Sequence, residues 1–443
     1  MNNNLKSKSA TKSCRREFLK SGTIATAGLA APFVVPWRAL ASPGANERIG
    51  VGAIGVGRQG GGLLAALAKL SDARIVAVAD VNIERAQQVA GRFGADAYKD
   101  YRSLLERRDV DAIITATPDH WRSLVCIHAC QAGKDVYAEK PLTLTIAEGR
   151  RMVEAARKYQ RVFQTGSQQR SMAANRLGCE LIRNGRVGKL HTVIGHNYPS
   201  PWDCALPGQS VPQGIDWDMW CGPTELVPYH ADLYAPRAKP GWISFQTYSG
   251  GEMTGWGSHG LDQVQWALGT DESGPVEVWT EGEKFNPPTY EKPESRGRGE
   301  KACASPKVLY RYANGVTLKL DNSNPGGAIF IGDEGKIEIF RGRVTSSPSD
   351  LVKEPLPDSA VRLYKSDHHL QNWLDCIKTR KRPVADVEIG HRSATVCHLG
   401  NIARLLGRKL QWDPRREVFT DDDEANQHLD RLRRKPYELP EVL

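Results

Sequence analysis

Arg48-Ile49-Gly50-Val51-Gly52-Ala53-Ile54-Gly55-Val56-Gly57-Arg58-Gln59-Gly60 decides the fold of this 443-residue chain. Ile49–Ile54 reads as a buried strand, and a helical pattern resumes at Leu63. Each glycine between them has a physical task. Gly55 permits a tight turn, Gly57 removes a side chain where backbone meets a pyrophosphate, and Gly60 lets helix pack closely on strand. The helix start then offers free N–H groups and its positive dipole end to phosphate, with Arg58 and Gln59 beside it. Asp80 closes the next strand, where a carboxylate accepts both ribose hydroxyls and repels a 2′-phosphate. The unit therefore reads as a dinucleotide site, with NAD favoured over NADP.

Outward from this unit, short β-branched runs alternate with amphipathic stretches up to Thr165. Strands are expected at Arg74–Ala79, Val110–Ala116, Asp135–Ala138 and Val162–Thr165. Helices are expected at Leu63–Leu70, Ile83–Phe93, Leu124–Ala132 and Ala147–Tyr159. That alternation calls for a parallel sheet covered on both faces. After residue 170 the texture changes. Helices at Ala173–Asn184, Ser258–Leu268, His369–Lys378 and His391–Leu406 are separated by strands at Leu190–Asn197, Val276–Trp279, Val308–Tyr312, Val316–Leu320, Ala328–Gly332 and Lys336–Phe340. The fold class is thus α/β: an N-terminal Rossmann domain (42–168), then an α+β domain (169–407) with a large, mostly antiparallel open sheet. A charged tail (408–443) follows, and residues 281–302 read as a solvated loop.

The formal net charge of +9 is concentrated at the start. Lys6, Lys8, Lys12, Arg15, Arg16, Lys20 and Arg38 face only Glu17, and the remainder of the chain is close to neutral. The body lacks the concentrated basic face of a nucleic-acid binder; the clusters Arg404–Lys409 and Arg431–Lys435 read as a solvated helix face and tail. Residues 1–41 instead read as a targeting segment. Arg15-Arg16-Glu17-Phe18-Leu19-Lys20 resembles a twin-arginine export signal, followed by an Ala/Gly-rich run and Ala39-Leu40-Ala41 as a cleavage site. Pro32 and Pro36 break the apolar run, so no stable membrane anchor is expected. The eight cysteines beyond residue 41 form no C-x-x-C pair and suggest no disulfide framework. The expected product is periplasmic, exported folded by the twin-arginine machinery.

Thr117-Pro118-Asp119-His120 and Ala132-Gly133-Lys134-Asp135-Val136-Tyr137-Ala138-Glu139-Lys140-Pro141 complete a recognisable set. With the glycine loop they resemble the Gfo/Idh/MocA (glucose-fructose oxidoreductase) family of sugar and cyclitol dehydrogenases, from about Arg48 to Leu406. The resemblance implies that the first domain binds nicotinamide, with Thr117, Pro118, His120, Glu139, Lys140 and Gln168 around it. It makes Lys140 the lysine that contacts both substrate hydroxyl and cofactor. It also makes His259 the acid/base or orienting histidine, although Gly255 stands where the family carries an aspartate. Independently, loss of hydride from a carbinol carbon requires loss of the hydroxyl proton, so a base or cation belongs beside that oxygen. Arg170, His196, Tyr198, Trp256 and His259 are the candidate substrate contacts. The stretch 196–266 is rich in aromatic rings, which stack on sugar faces or bury a long loop. His196, His230, Glu252 and His259 match no metal-ligand spacing, so no metal is expected.

Three readings stay open. The first is a sugar, cyclitol or glycoside oxidoreductase with tightly bound NAD, the second an NAD-dependent glycosidase or lyase working by transient oxidation and elimination. The third is a non-catalytic NAD- and sugar-binding regulator. A homo-oligomer is expected, paired through the open sheet.

Overall fold

A computed structural model describes residues 48–235, 241–292, 306–441 and 443. The targeting segment, Cys303 and residues 293–302 of the stretch expected as a solvated loop lie outside them. The first domain is a six-stranded parallel sheet built of β1 (Ile49–Ile54), β2 (Ala73–Ala79), β3 (Asp96–Tyr98), β4 (Ala112–Thr115), β5 (Asp135–Ala138) and β6 (Phe163–Thr165), in the order β3-β2-β1-β4-β5-β6. All of β1, β4 and β5 is buried, as expected where helices cover both faces of a parallel sheet. The chain reverses its winding between β1 and β4, and the crevice outside their carboxyl ends is where such sheets bind ligands.

The expected strands and helices form, with instructive shifts. The helix after the glycine loop begins at Arg58, five residues before the first apolar residue of its pattern, because Gly60–Gly62 look like loop in isolation. The helix Asp119–Gln131 likewise starts ahead of its apolar face, capped by Pro118. Strand β3 and the short helix Tyr101–Leu105 carry too few residues to show a period.

The second domain adds β7 (Leu190–His196), β8 (Asp203–Cys204), β9 (Pro275–Glu281), β10 (Thr289–Tyr290), β11 (Lys307–Tyr312), β12 (Thr317–Asp321), β13 (Gly327–Gly332), β14 (Gly335–Phe340), β15 (Arg343–Ser347), β16 (Leu410–Asp413) and β17 (Val418–Phe419). Nine of these, among the described residues, form one sheet ordered β15-β14-β13-β7-β12-β11-β9-β16-β17. Its pairings are antiparallel apart from β7 with β12. Apolar residues of this sheet pack against the helices Ala173–Arg183, Gly257–Leu268 and Val387–Leu406. The last helix belongs to both cores. Val387 and Ala394 enter the first domain's cluster, while Val396, Leu399 and Ile402 enter the second's.

Three surface readings are corrected. Arg404 is fully buried, donating to the carbonyls of Pro306 and Tyr198 and to Asn197 Oδ1. Residues 408–443 are charged but not a free tail: Arg431 Nε and Arg433 Nη2 reach the buried Glu148 carboxylate at 2.9 and 3.0 Å. Tyr437, Leu439 and Leu443 pack on the first domain's core. Tyr290, within the expected solvated loop, is 1% exposed and lies in β10 against β8. The first domain is also completed from afar, since Leu370, Trp373 and Leu374 of the helix His369–Thr379 pack among β1, β2 and β4 residues. Among the described residues, no helix is long and apolar enough to cross a membrane.

Candidate active site

A cavity of about 740 Å³ runs from the glycine loop across the carboxyl ends of β1, β4 and β5 to the second domain. That volume is in the range of a cofactor or ligand site. Gly55, Gly57, Arg58, Gln59, Asp80, Thr117, Pro118, Glu139, Lys140, Gln168, Trp256 and His259 all line it, so most sequence-derived candidates converge.

At one end Gly55 adopts φ +76°, a conformation that favours glycine. A Cβ on Gly60 would lie 2.3 Å from the Gly55 carbonyl oxygen, so Gly60 serves packing and does not face the cavity. A Cβ on Gly57 would meet nothing closer than Arg85 Nη1 at 3.9 Å. The helix Arg58–Leu67 has no side-chain cap and no acidic residue in its first turn. Bare N–H groups and vacant side-chain space therefore face the cavity, which fits a pyrophosphate. Asp80 Oδ2 accepts from Val56 N at 2.9 Å and Oδ1 from Asn82 N at 2.9 Å, fixing the carboxylate beside the loop. Gln168 Oε1 is buried with no hydrogen-bond partner among the described residues, as an acceptor awaiting a ligand donor is. These residues fit NAD.

At the other end Lys140 is half-buried, and its Nζ donates to the Gly255 carbonyl at 3.0 Å. The position that lacks the family aspartate still holds the lysine, through main chain where a carboxylate is expected. Glu139 is 5% exposed; its Oε1 accepts from Gln59 Nε2 at 2.9 Å and its Oε2 from Lys140 N at 3.1 Å. His259 is 4% exposed, two residues into the helix Gly257–Leu268, and its ring lies 5.9 Å from that of Trp256. Trp256 and Arg341, the latter stacked 5.1 Å above the indole, also line an adjoining cleft of about 400 Å³ with His196, Tyr198 and Glu252.

Four candidates fall elsewhere. His120 is fully buried between Trp220 and Tyr248; its Nε2 donates to the Trp220 carbonyl at 2.8 Å, and burial lowers its pKa to about 3. It packs two elements together and does not reach the cofactor cavity. Arg170 is 1% exposed and consumed by Asp262 and Asp271, with contacts between 2.7 and 3.2 Å. Tyr198 is 2% exposed and its hydroxyl accepts from Gly326 N at 2.8 Å. His196 lies in the outer cleft, with Nδ1 on the Ser323 carbonyl. Arg122 is buried against Asp119 at 3.0 Å and the carbonyls of Thr117 and Pro141. Most of the aromatic stretch packs on itself: Trp202, Trp217, Trp220, Tyr229, Trp242, Phe245 and Tyr248 form one buried cluster. Sequence reasoning missed Arg85 and Arg341; nothing in local spacing marks them, because Arg85 meets Tyr234 of the other domain and Arg341 meets Trp256, far from it along the chain. Among the described residues, no three His, Cys, Asp or Glu side chains gather as a metal-ligating group.

A doubly wound NAD-type sheet whose crevice is faced by an antiparallel-sheet domain, with a lysine and a histidine on the shared wall, defines a two-domain oxidoreductase. Residues 49–167 match the family model described as "Oxidoreductase family, NAD-binding Rossmann fold", and residues 186–439 match "Oxidoreductase family, C-terminal alpha/beta domain". The chain belongs to the Gfo/Idh/MocA family of NAD-dependent oxidoreductases. Over 181 residues it is 33% identical to myo-inositol 2-dehydrogenase of Thermotoga maritima, covering 40% of this chain and 54% of that protein. The chain spans about half the length of the curated relatives it matches. Aldose-aldose oxidoreductase from Caulobacter crescentus, solved with glycerol, superposes with a TM-score of 0.58 at 19% identity, covering 82% of this chain and 99% of that one. The WlbA dehydrogenase from Bordetella pertussis, solved with NADH and UDP-GlcNAcA, gives 0.59 at 19% identity over 83% and 99%. These two are likenesses of fold.

Proposed function

We propose that this protein oxidises a ring carbinol of a sugar, cyclitol or glycoside, using an NAD that stays bound and is re-oxidised in each cycle by reducing a second carbohydrate carbonyl. The observation that carries the reading is the convergence of Lys140 and His259 on the wall where the glycine-loop cavity meets the second domain. When bound, NAD supplies the hydride acceptor. Lys140 Nζ, held by the Gly255 carbonyl at 3.0 Å, sits to take the proton of the reacting hydroxyl and to stabilise the developing alkoxide charge. His259 orients that hydroxyl or relays the proton. The indole of Trp256 offers a flat face for the C–H side of a ring. The myo-inositol and aldose activities named for relatives support a polyol substrate.

The outer cleft beyond Trp256 supports a second reading, because it leaves room for a unit larger than one sugar. A glycoside seated across both spaces could be cleaved by transient oxidation, elimination and re-reduction. Arg15-Arg16 and the Ala/Gly-rich run support export. A route that carries folded proteins suits an enzyme loaded with NAD before it leaves the cytoplasm, and pairing through the open sheet completes the proposal.

The test uses the purified mature protein. Denaturation should release NAD(H); protein that neither carries nor binds NAD would sink the reading. Incubation with sugars, cyclitols and aryl glycosides separates the alternatives. Keto product without phenol supports oxidoreduction, phenol without net redox supports cleavage, and silence on the whole panel leaves a binding protein. The double substitution Arg15→Lys and Arg16→Lys should keep the precursor in the cytoplasm.

A further inference from the structure

The Asp80 end of the cavity is closed by a part of the chain that does not belong to the Rossmann domain. The stretch 214–234 lies against the first domain just past β2. Ile83 N donates to the Gly214 carbonyl at 3.1 Å, and Asp216 N to the Val81 carbonyl at 2.9 Å. Asn82 and Ile215 form a β-bridge, and Lys99 pairs with Asp216 at 3.2 Å. Further along, the Met219 and Trp220 carbonyls accept from Trp121 Nε1 and His120 Nε2, both at 2.8 Å. The stretch is stiff, since the Trp217 and Trp220 rings stack at 4.5 Å.

Its end returns to the cavity. Arg85 Nη2 donates to the Tyr234 hydroxyl at 2.7 Å, the guanidinium lies 5.5 Å over the Tyr234 ring, and Arg85 Nη1 reaches Asp80 Oδ2 at 3.5 Å. A chain of contacts, Asp80 to Arg85 to Tyr234, thus crosses the place where a dinucleotide's adenosine ribose meets the carboxylate. Trp220 and Tyr234 line the same cavity as Val56 and Gly57.

We infer that the second domain supplies the retaining wall of the dinucleotide site, and that the Arg85–Tyr234 contact is its latch. A bound dinucleotide leaves only when this contact opens, so the stretch sets the dissociation rate more than the association rate. The inference rests on the reading that NAD occupies the cavity, and it deepens that reading by naming what keeps it there.

The experiment follows exchange of protein-bound NAD for radiolabelled NAD in the full-length mature protein, with equilibrium NAD binding measured in parallel. Wild type should carry nucleotide through gel filtration and exchange slowly. Tyr234→Ala should exchange at least about tenfold faster, because it removes both a hydrogen bond to a charged group and the stacked ring. Tyr234→Phe, which keeps the packing against Trp217 and Trp220, should give a smaller increase and serves if the alanine variant fails to fold. Equal exchange in wild type and Tyr234→Phe and Tyr234→Ala overturns the latch. Wild type that binds added NAD but loses it on gel filtration also overturns it while leaving the NAD site standing. No NAD binding at any concentration overturns both.

Discussion

Acidification tests the packing of the second domain on the first. His120, His369 and His398 are buried and neutral, each donating Nε2–H to a backbone carbonyl: Trp220, Thr165 and Thr143 respectively. Burial lowers their pKa values to about 3, 4 and 4. In His120 the other nitrogen, Nδ1, has no hydrogen-bond partner among the described residues, so a proton there would be a buried, unanswered charge. Because folding lowers these values, the unfolded chain binds more protons than the fold between about pH 6.5 and 3. Their stabilisation is complete above that window and is lost as pH falls through it. At pH 5 each group costs about 2 kcal/mol relative to pH 7.5, or about 6 kcal/mol for three, comparable with the whole stability of many proteins. Urea unfolding at pH 7.5, 6 and 5 measures the loss. His120→Gln keeps a donor for the Trp220 carbonyl and should flatten the pH dependence by about 2 kcal/mol between pH 7.5 and 5. An unchanged pH dependence in that variant, or greater stability at pH 5 than at pH 7.5, would refute the reasoning.

Other outcomes concern the site and its supports. Lys140→Met should lower kcat by about 10²- to 10⁴-fold, the usual worth of a positioned acid/base group, while leaving bound NAD in place by absorbance after denaturation. Gly57→Ala has space for its methyl group and should fold normally, with an unchanged melting temperature in the absence of nucleotide, yet bind NAD at least about tenfold more weakly, since the methyl occupies the pyrophosphate's approach. Gly60→Ala, by contrast, drives a methyl into the Gly55 carbonyl and should cost about 1–3 kcal/mol of stability by calorimetry. Removing residues 431–443 strands the Glu148 carboxylate, whose side chain is 0% exposed, without Arg431 and Arg433. That should cost about 3–5 kcal/mol in urea titration.

The cofactor end was legible in the sequence because its chemistry is local. Gly55, Gly57 and Gly60 sit within six residues, and a strand, a turn and a helix start are all the geometry they need. Lys140 was legible for the same reason, at the end of a short buried strand. Arg170 and His120 misled because residue type alone does not reveal the partner. Asp262 and Asp271 lie 92 and 101 residues from Arg170, and the Trp220 carbonyl lies 100 from His120. The aromatic stretch misled differently: rings that suit a sugar suit each other equally well, and here most chose each other. Gly255 could only be read as a loss, since a backbone carbonyl leaves no mark in composition.

The seating of Trp373 in the first domain's core, with the 283- and 285-residue separations of Arg431 and Arg433 from Glu148, bears on the order of synthesis. A ribosome delivers the strands of the nucleotide sheet long before the pieces that seal it. The early half emerges with an open socket on one face and an uncompensated carboxylate on one helix. It closes only when Trp373, Arg431 and Arg433 arrive. A graft of residues 42–168 alone onto another protein would therefore carry the glycine loop but not a stable sheet beneath it.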